Sequence, residues 1–165
     1  MTYSILIFAY RKPGTTPEQF QSHYEGKHVS LIKEISGEYV PILPLFNESF
    51  IGFSWVIVYP DGMRSLERLF PLSHTRRYIH RTEGKTEDTE RNANFPATIL
   101  LGSQTDFAYD AFAELSFADG NAFQTFFGHC QQPENAARIA ADEEHFLDRS
   151  RTTIVVLGET FSTTK

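Results

Sequence analysis

Apolar positions along this chain switch between two periods. In "TYSILIFAY" (Thr2–Tyr10) they alternate: Tyr3, Ile5, Ile7 and Ala9 face one way, Ser4, Leu6, Phe8 and Tyr10 the other. A period of two marks a strand, and apolar residues on both faces mark one covered on both sides. "KPGTTPEQ" then opens a helix, with Thr16 as N-cap, Pro17 at the first helical position and Gln19 completing a capping box. The helix is expected to run to about Ile35, with Gly37 ending it. At about 100° per residue, Phe20, Tyr24, His28, Leu31, Ile32 and Ile35 share one side. His28 thus lies inside a stripe that should be buried, while His23 falls at its margin.

An extended, proline-bearing connection (Tyr39–Asn47) leads to "SFIGFSWVIVYP" (Ser49–Pro60), which reads as a second strand. Between residues 61 and 100 the pattern changes. "MRSLERLF" and "PLSHTRRYIHRTEGK" read as helical, "KTEDTERNANFP" as a polar loop, and "ATILLG" as a short strand or a buried edge. "FAYDAFAELSF" (Phe107–Phe117) alternates again, with Tyr109, Ala111, Ala113, Leu115 and Phe117 opposite Asp110, Phe112, Glu114 and Ser116. Asp119 is placed to cap a helix over Gly120–Gly128. Another helix is expected from near Pro133 to about Asp148, turning Ala136, Ile139, Ala140 and Phe146 or Leu147 inward. Thr152–Thr160 reads as the last strand.

Strand–helix–strand, insertion, strand–helix–strand is the split βαβ pattern of a ferredoxin-like α+β domain. That fold has an antiparallel four-stranded sheet with helices on one face. A single domain over residues 1–165 is predicted, with a helical insertion at about 61–100 between its halves. The other sheet face is also largely apolar, so it is expected to pack on the same face of a second copy, giving a homodimer. Asp110 and Glu114 would then lie in a cavity between the sheets.

Composition narrows the classes. With 165 residues, 41% apolar and 22% charged, the chain can bury a core of its own. A net charge of −6 argues against nucleic acid as a partner. No run approaches the ~20 apolar residues of a membrane span, so no membrane partner is expected. The lone Cys130 forms no internal disulfide and fits a reducing compartment. With no signal-like start, a cytoplasmic protein is expected. No metal site is expected either, since HExxH and CxxC are missing; so are GxGxxG, a P-loop and GxSxG. The 15 phenylalanines and 7 tyrosines suit a pocket for a flat, apolar ligand.

"LIFAYRKPGTTPEQFQSHYEGKHVSLIKEI" resembles the opening of EthD-family domains. Those show a strand ending in Arg-Lys-Pro-Gly and a capped helix with Phe, then an aromatic residue and a His four later. Tyr24 and His28 hold the last two positions. "YDAFAELSFAD" and "ADEEHFLDRSRTTIVVLGE" resemble the second-half strand and the closing helix and strand. "TERNANFPATILLGS" is similar to the middle stretch of EthD-like proteins of fungal polyketide pathways. The resemblance implies the dimeric α+β barrel superfamily. Its members include cofactor-free cyclases, lactone isomerases, dehydratases and monooxygenases, besides some haem enzymes. Fold alone does not fix the reaction.

The candidate chemistry centres on His28. A neutral imidazole on an apolar wall can take a proton beside a carbonyl or deliver one to a leaving hydroxyl. Those steps drive dehydration and aldol cyclisation without a cofactor. Tyr24, one turn earlier, can donate to an enolate oxygen, and Asp110 or Glu114 can polarise His28 if their strand lies near. His74 and His80 of the inserted segment are candidate second acid–base groups, with His74, Tyr78 and Arg81 on one helix face. Tyr10, Trp55, Tyr78, Asp110, Phe112 and Glu114 are candidate substrate contacts. His145, amid Asp142, Glu143 and Glu144, is expected at the surface, and His129 near a helix end. The reading is a cofactor-independent dehydratase or cyclase of an aromatic or polyketide-derived small molecule. The alternatives are a cofactor-free monooxygenase of anthrone-like substrates and a non-catalytic metabolite-binding protein.

Overall fold

Strands β1 (Tyr3–Ala9) and β3 (Ala111–Phe117) pair at the centre of the sheet because their alternations match. Ile5 lies opposite Leu115, Ile7 opposite Ala113 and Ala9 opposite Ala111, all toward the helices. The computed structural model describes residues 2–37, 69–83, 92 and 94–164. Among them, β2 (Ser73–Tyr78) and β4 (Thr153–Val156) complete an antiparallel sheet in the order β2-β3-β1-β4. That order is the one the split βαβ pattern demands.

One side of the sheet is covered by α1 (Pro17–His23), a π turn (Tyr24–His28), α2 (Val29–Ile35), α3 (Gly120–Cys130) and α4 (Pro133–Glu143). The capping box at Thr16 and Gln19 forms as expected, and Asp119 caps α3 by accepting the Ala122 N–H at 2.8 Å. His129 on α3 donates to the carbonyl of Ile35 at 2.8 Å, satisfying an open group at the end of α2. Two buried clusters form under the helices. Ile5, Leu115 and Phe117 pack on Ile32, Ile35 and Phe126; Ala9 and Ala111 pack on Phe20, Tyr24 and Phe146. Ala111 and Ala113 leave no side-chain bulk on β3, so the aromatic rings reach the sheet there.

The segment between the halves differs from expectation. Ser73–Tyr78 is a strand, at the edge of the sheet among the described residues, and not a helix: Ser73 lies opposite Ser116 and Tyr78 opposite Ala111. The i, i+4, i+7 spacing that suggested a helix is outweighed by a period of two. His74, Arg76 and Tyr78 turn toward the helices while Ser73, Thr75 and Arg77 are exposed. A polar edge strand is a common protection against edge pairing, and its polarity hid it. Hence part of the stretch read as a helical insertion belongs to the sheet itself. Leu100 and Leu101 are exposed, so "ATILLG" is not a buried edge, although Ala97 bridges Arg81. The strand expected at Ser49–Pro60, the connection Tyr39–Asn47 and most of "MRSLERLF" lie outside the described residues.

Asp110 has a role other than the expected one. Its carboxylate accepts from the Arg11 backbone N–H at 2.9 Å and from Arg11 Nε at 3.0 Å, and Arg81 Nε lies 2.8 Å away. Arg81 also donates to the carbonyls of Phe95, Phe107 and Tyr109, and Arg11 to Asn92 Oδ1. The three side chains are at most 3% exposed. This sealed cluster ties two loops to the end of β1, and Asp110 does not reach His28. Replacing it with Asn removes a buried counter-charge that two guanidinium groups share. Asp110→Asn is therefore expected to cost about 3–5 kcal/mol of unfolding free energy in urea titrations; an unchanged midpoint would refute the anchoring role.

Candidate active site

His23 and His28 are five residues apart, which on a regular α-helix turns them to different sides. Here the helix contains a π turn over Tyr24–His28, and the Val29 N–H donates to the carbonyl of Tyr24, five residues back. One π turn brings residues five apart onto the same side, and such turns recur at functional sites. Both imidazoles consequently meet one carboxylate on α4. His23 Nε2 lies 2.8 Å from Asp142 Oδ1, and His28 Nδ1 lies 2.8 Å from Asp142 Oδ2. An ionised carboxylate only accepts, so both rings donate. His28 is thereby held as the Nδ1–H tautomer, which leaves Nε2 as its basic nitrogen.

Phe146, just past α4 and 2% exposed, braces this arrangement. Its ring stacks on His23 at 4.8 Å between centroids and lies tilted against Tyr24 and His28 at 5.5 and 5.2 Å. The Lys12 N–H donates to the Phe146 carbonyl at 2.7 Å and fixes the turn to the segment after β1. Tyr24 stands edge-on to His28 at 5.3 Å and 6.3 Å from the His74 ring.

Tyr24, His28 and His74 line a cavity of about 250 Å3 between sheet and helices. Its walls include Ile5, Leu115, Phe126 and Ile139, with Glu143 and Arg149 as further polar groups. Burial lowers the His28 pKa, opposed by the hydrogen bond and charge of Asp142. His74 is driven down to about 4, first by burial, then by Arg76 and His28. Both of its ring nitrogens are buried without a hydrogen-bond partner. Burial raises the Tyr24 hydroxyl well above its usual range, so it stays protonated. Burial also raises Glu143 despite Arg149, whose Nε lies 2.8 Å from it. Asp142 is pushed up by burial, but its two imidazole donors outweigh this and hold it below the usual carboxylate range.

The structure therefore gathers three of the four expected acid–base residues. His80 is exposed, bonds Thr98 Oγ1 at 2.8 Å and lines another surface pocket. Tyr78 packs edge-on against Tyr24, but its hydroxyl donates to Glu25 Oε1 at 2.7 Å. Phe112, Glu114 and Tyr10 belong to the opposite, open side of the sheet. There Phe8 lies opposite Phe112, and Tyr10 sits under the Arg151 guanidinium. Glu114 therefore does not polarise His28. Trp55 lies outside the described residues. His145 is exposed as expected and stacks on His23.

Asp142 and His23 escaped the sequence reading. Asp142 sits three after Ile139 and four before Phe146, on the inward stripe of α4, and that spacing was its signal. Among the described residues no cluster of three or more His, Cys, Asp or Glu suits a metal ion, and no helix is long and apolar enough to cross a membrane.

A ferredoxin-like sheet with a carboxylate-clamped histidine under its helices defines the class of this domain. Residues 63–150, more than half of the chain, match the EthD domain family. The chain belongs to that family. The matched stretch holds His74 and Asp142, while Tyr24 and His28 precede it. A solved structure of an ethyl tert-butyl ether d (EthD) family protein from Bacillus halodurans C-125 is similar over 97% of this chain and 100% of its own. Its TM-score is 0.48 and its identity 13%. No curated protein matches the chain.

The His74 environment has a measurable signature. Its imidazole titrates near 6.5 when exposed and at about 4 in the fold, so between those values the unfolded chain binds more protons. Stability is expected to fall as pH drops through that window, and to fall less steeply in His74→Leu. Denaturation midpoints from pH 7 to 4 measure both slopes; parallel curves would count against a buried neutral His74.

Proposed function

We propose that this protein is a cofactor-independent dehydratase or cyclase of an aromatic or polyketide-derived small molecule. His28 is its acid–base residue. The observation that carries the reading is the His28 Nδ1 to Asp142 bond at 2.8 Å beside a cavity also lined by Tyr24 and His74. A ring fixed in this way can accept a proton at Nε2 from a carbon next to a carbonyl. Asp142 stabilises the imidazolium that forms, and the same ring then returns the proton to a leaving hydroxyl. Tyr24, kept protonated by burial, serves as donor to the enolate oxygen. His74, neutral and without a partner, offers one donor and one acceptor to the ligand. The apolar walls suit a ring system.

In this reading a second copy covers the open sheet face, where Leu6, Phe8 and Phe112 are only half-buried. Sedimentation showing a lone subunit at micromolar concentration would remove that part of the proposal.

His28→Gln and His28→Ala are expected to fold and to lose about 10²–10⁴ of turnover. Product analysis with hydroxylated anthrones and hydroxyketones is the assay. Full turnover in both variants would remove His28 from the mechanism. Oxygen uptake in step with turnover would instead indicate a monooxygenase, and stoichiometric binding without product a carrier.

A further inference from the structure

The histidine at the other end of the clamp has no assigned role. We propose that His23 is a positioning residue for the acid–base histidine. Its Nε2–H pins one oxygen of Asp142, so that the other is held against His28 Nδ1. The inference rests on the reading of His28 as the acid–base group.

The geometry supports it on three counts. The two bonds are both 2.8 Å and use different oxygens of one carboxylate, so each ring limits rotation of the group that the other contacts. His23 is itself fixed, between the Phe146 ring at 4.8 Å and the His145 ring at 5.7 Å, both nearly parallel to it. Finally, the π turn moves His23 off the margin of the helical stripe and onto Asp142, where a regular helix would leave the carboxylate with one donor. A carboxylate with one partner is freer to turn, and the preference of His28 for the Nδ1–H tautomer weakens as it does. His23 is not among the residues lining the cavity, so its hydrogen-bonded link to the site is Asp142.

Several charged or titratable groups share the surroundings of His28. They are Asp142, Glu143 and Arg149 from the α4 side, His74 from β2, and His23 and Tyr24 from its own rod. Ring-resolved measurement is therefore needed. Two-bond proton–nitrogen NMR spectra of the 15N-labelled full-length chain report the tautomer and titration midpoint of each histidine without any substrate. In the unaltered protein, His28 is expected as the Nδ1–H tautomer. His23→Phe keeps the stack on Phe146 but removes the donor. There His28 should become a mixture of tautomers, and its midpoint should rise as the neighbouring imidazole is lost. His23→Gln, which retains a side-chain N–H, should restore the single tautomer. His23→Leu serves as the donor-free variant if the Phe protein does not fold.

An unchanged His28 tautomer and midpoint in the donor-free variant would overturn the inference. Asp142→Asn separates that failure from a deeper one. If it disturbs His28 while the donor-free variant does not, the dyad stands and only the role of His23 falls. If it too leaves His28 unmoved, the acid–base reading falls as well.

Discussion

One carboxylate shared by two imidazoles holds the candidate site together. Asp142 joins α4 to the rod formed by α1, the π turn and α2, on the helical side of the sheet. Elsewhere the two elements meet through apolar surfaces around Phe146 and through an Arg138–Glu34 ion pair nearer the surface, which fix distance but not the orientation of the His28 ring. Hydrogen bonds to a charged acceptor each contribute roughly 1.5–3 kcal/mol, less the cost of drawing the carboxylate partly out of water. They also impose a direction. That direction sets which nitrogen of His28 carries its proton.

Two aspartates in this chain show how surroundings assign a task. Asp110 is enclosed by Arg11 and Arg81, permanent cations that also donate to loop carbonyls and to Asn92. Asp142 faces two imidazoles, next to a cavity. The first arrangement fastens loops; the second fixes an imidazole beside a cavity. Both are acidic residues flanking apolar runs, and only their partners tell them apart.

Much of the fold could be read from the residues because its signals are local. The alternation of β1 and β3, the capping box at Thr16, the Asp119 cap and the inward Phe146 depend on neighbours a few positions away. His28 and Tyr24 were legible for the same reason, as polar groups within an apolar stripe. What escaped depended on partners far along the chain or on a departure from ideal geometry. β2 was obscured because its inward face carries His74, Arg76 and Tyr78 instead of aliphatic residues. His23 was dismissed because the angular reckoning assumed a uniform helix. The carboxylate partner of His28 was sought on β3, but Glu114 points to the far side of the sheet and the partner came from α4.

The π turn makes the spacing between His23 and His28 unusually sensitive to insertion and deletion. Substitutions along Tyr24–His28 alter individual side chains, but removing one residue would restore the regular helix and swing everything upstream by about 100°. Phe20 would leave the core with His23, and the capped start at Thr16 would be carried away from its seat. Within this rod, then, the number of residues is under tighter constraint than their identity, and the surplus residue holds two ends of one helix in different phases.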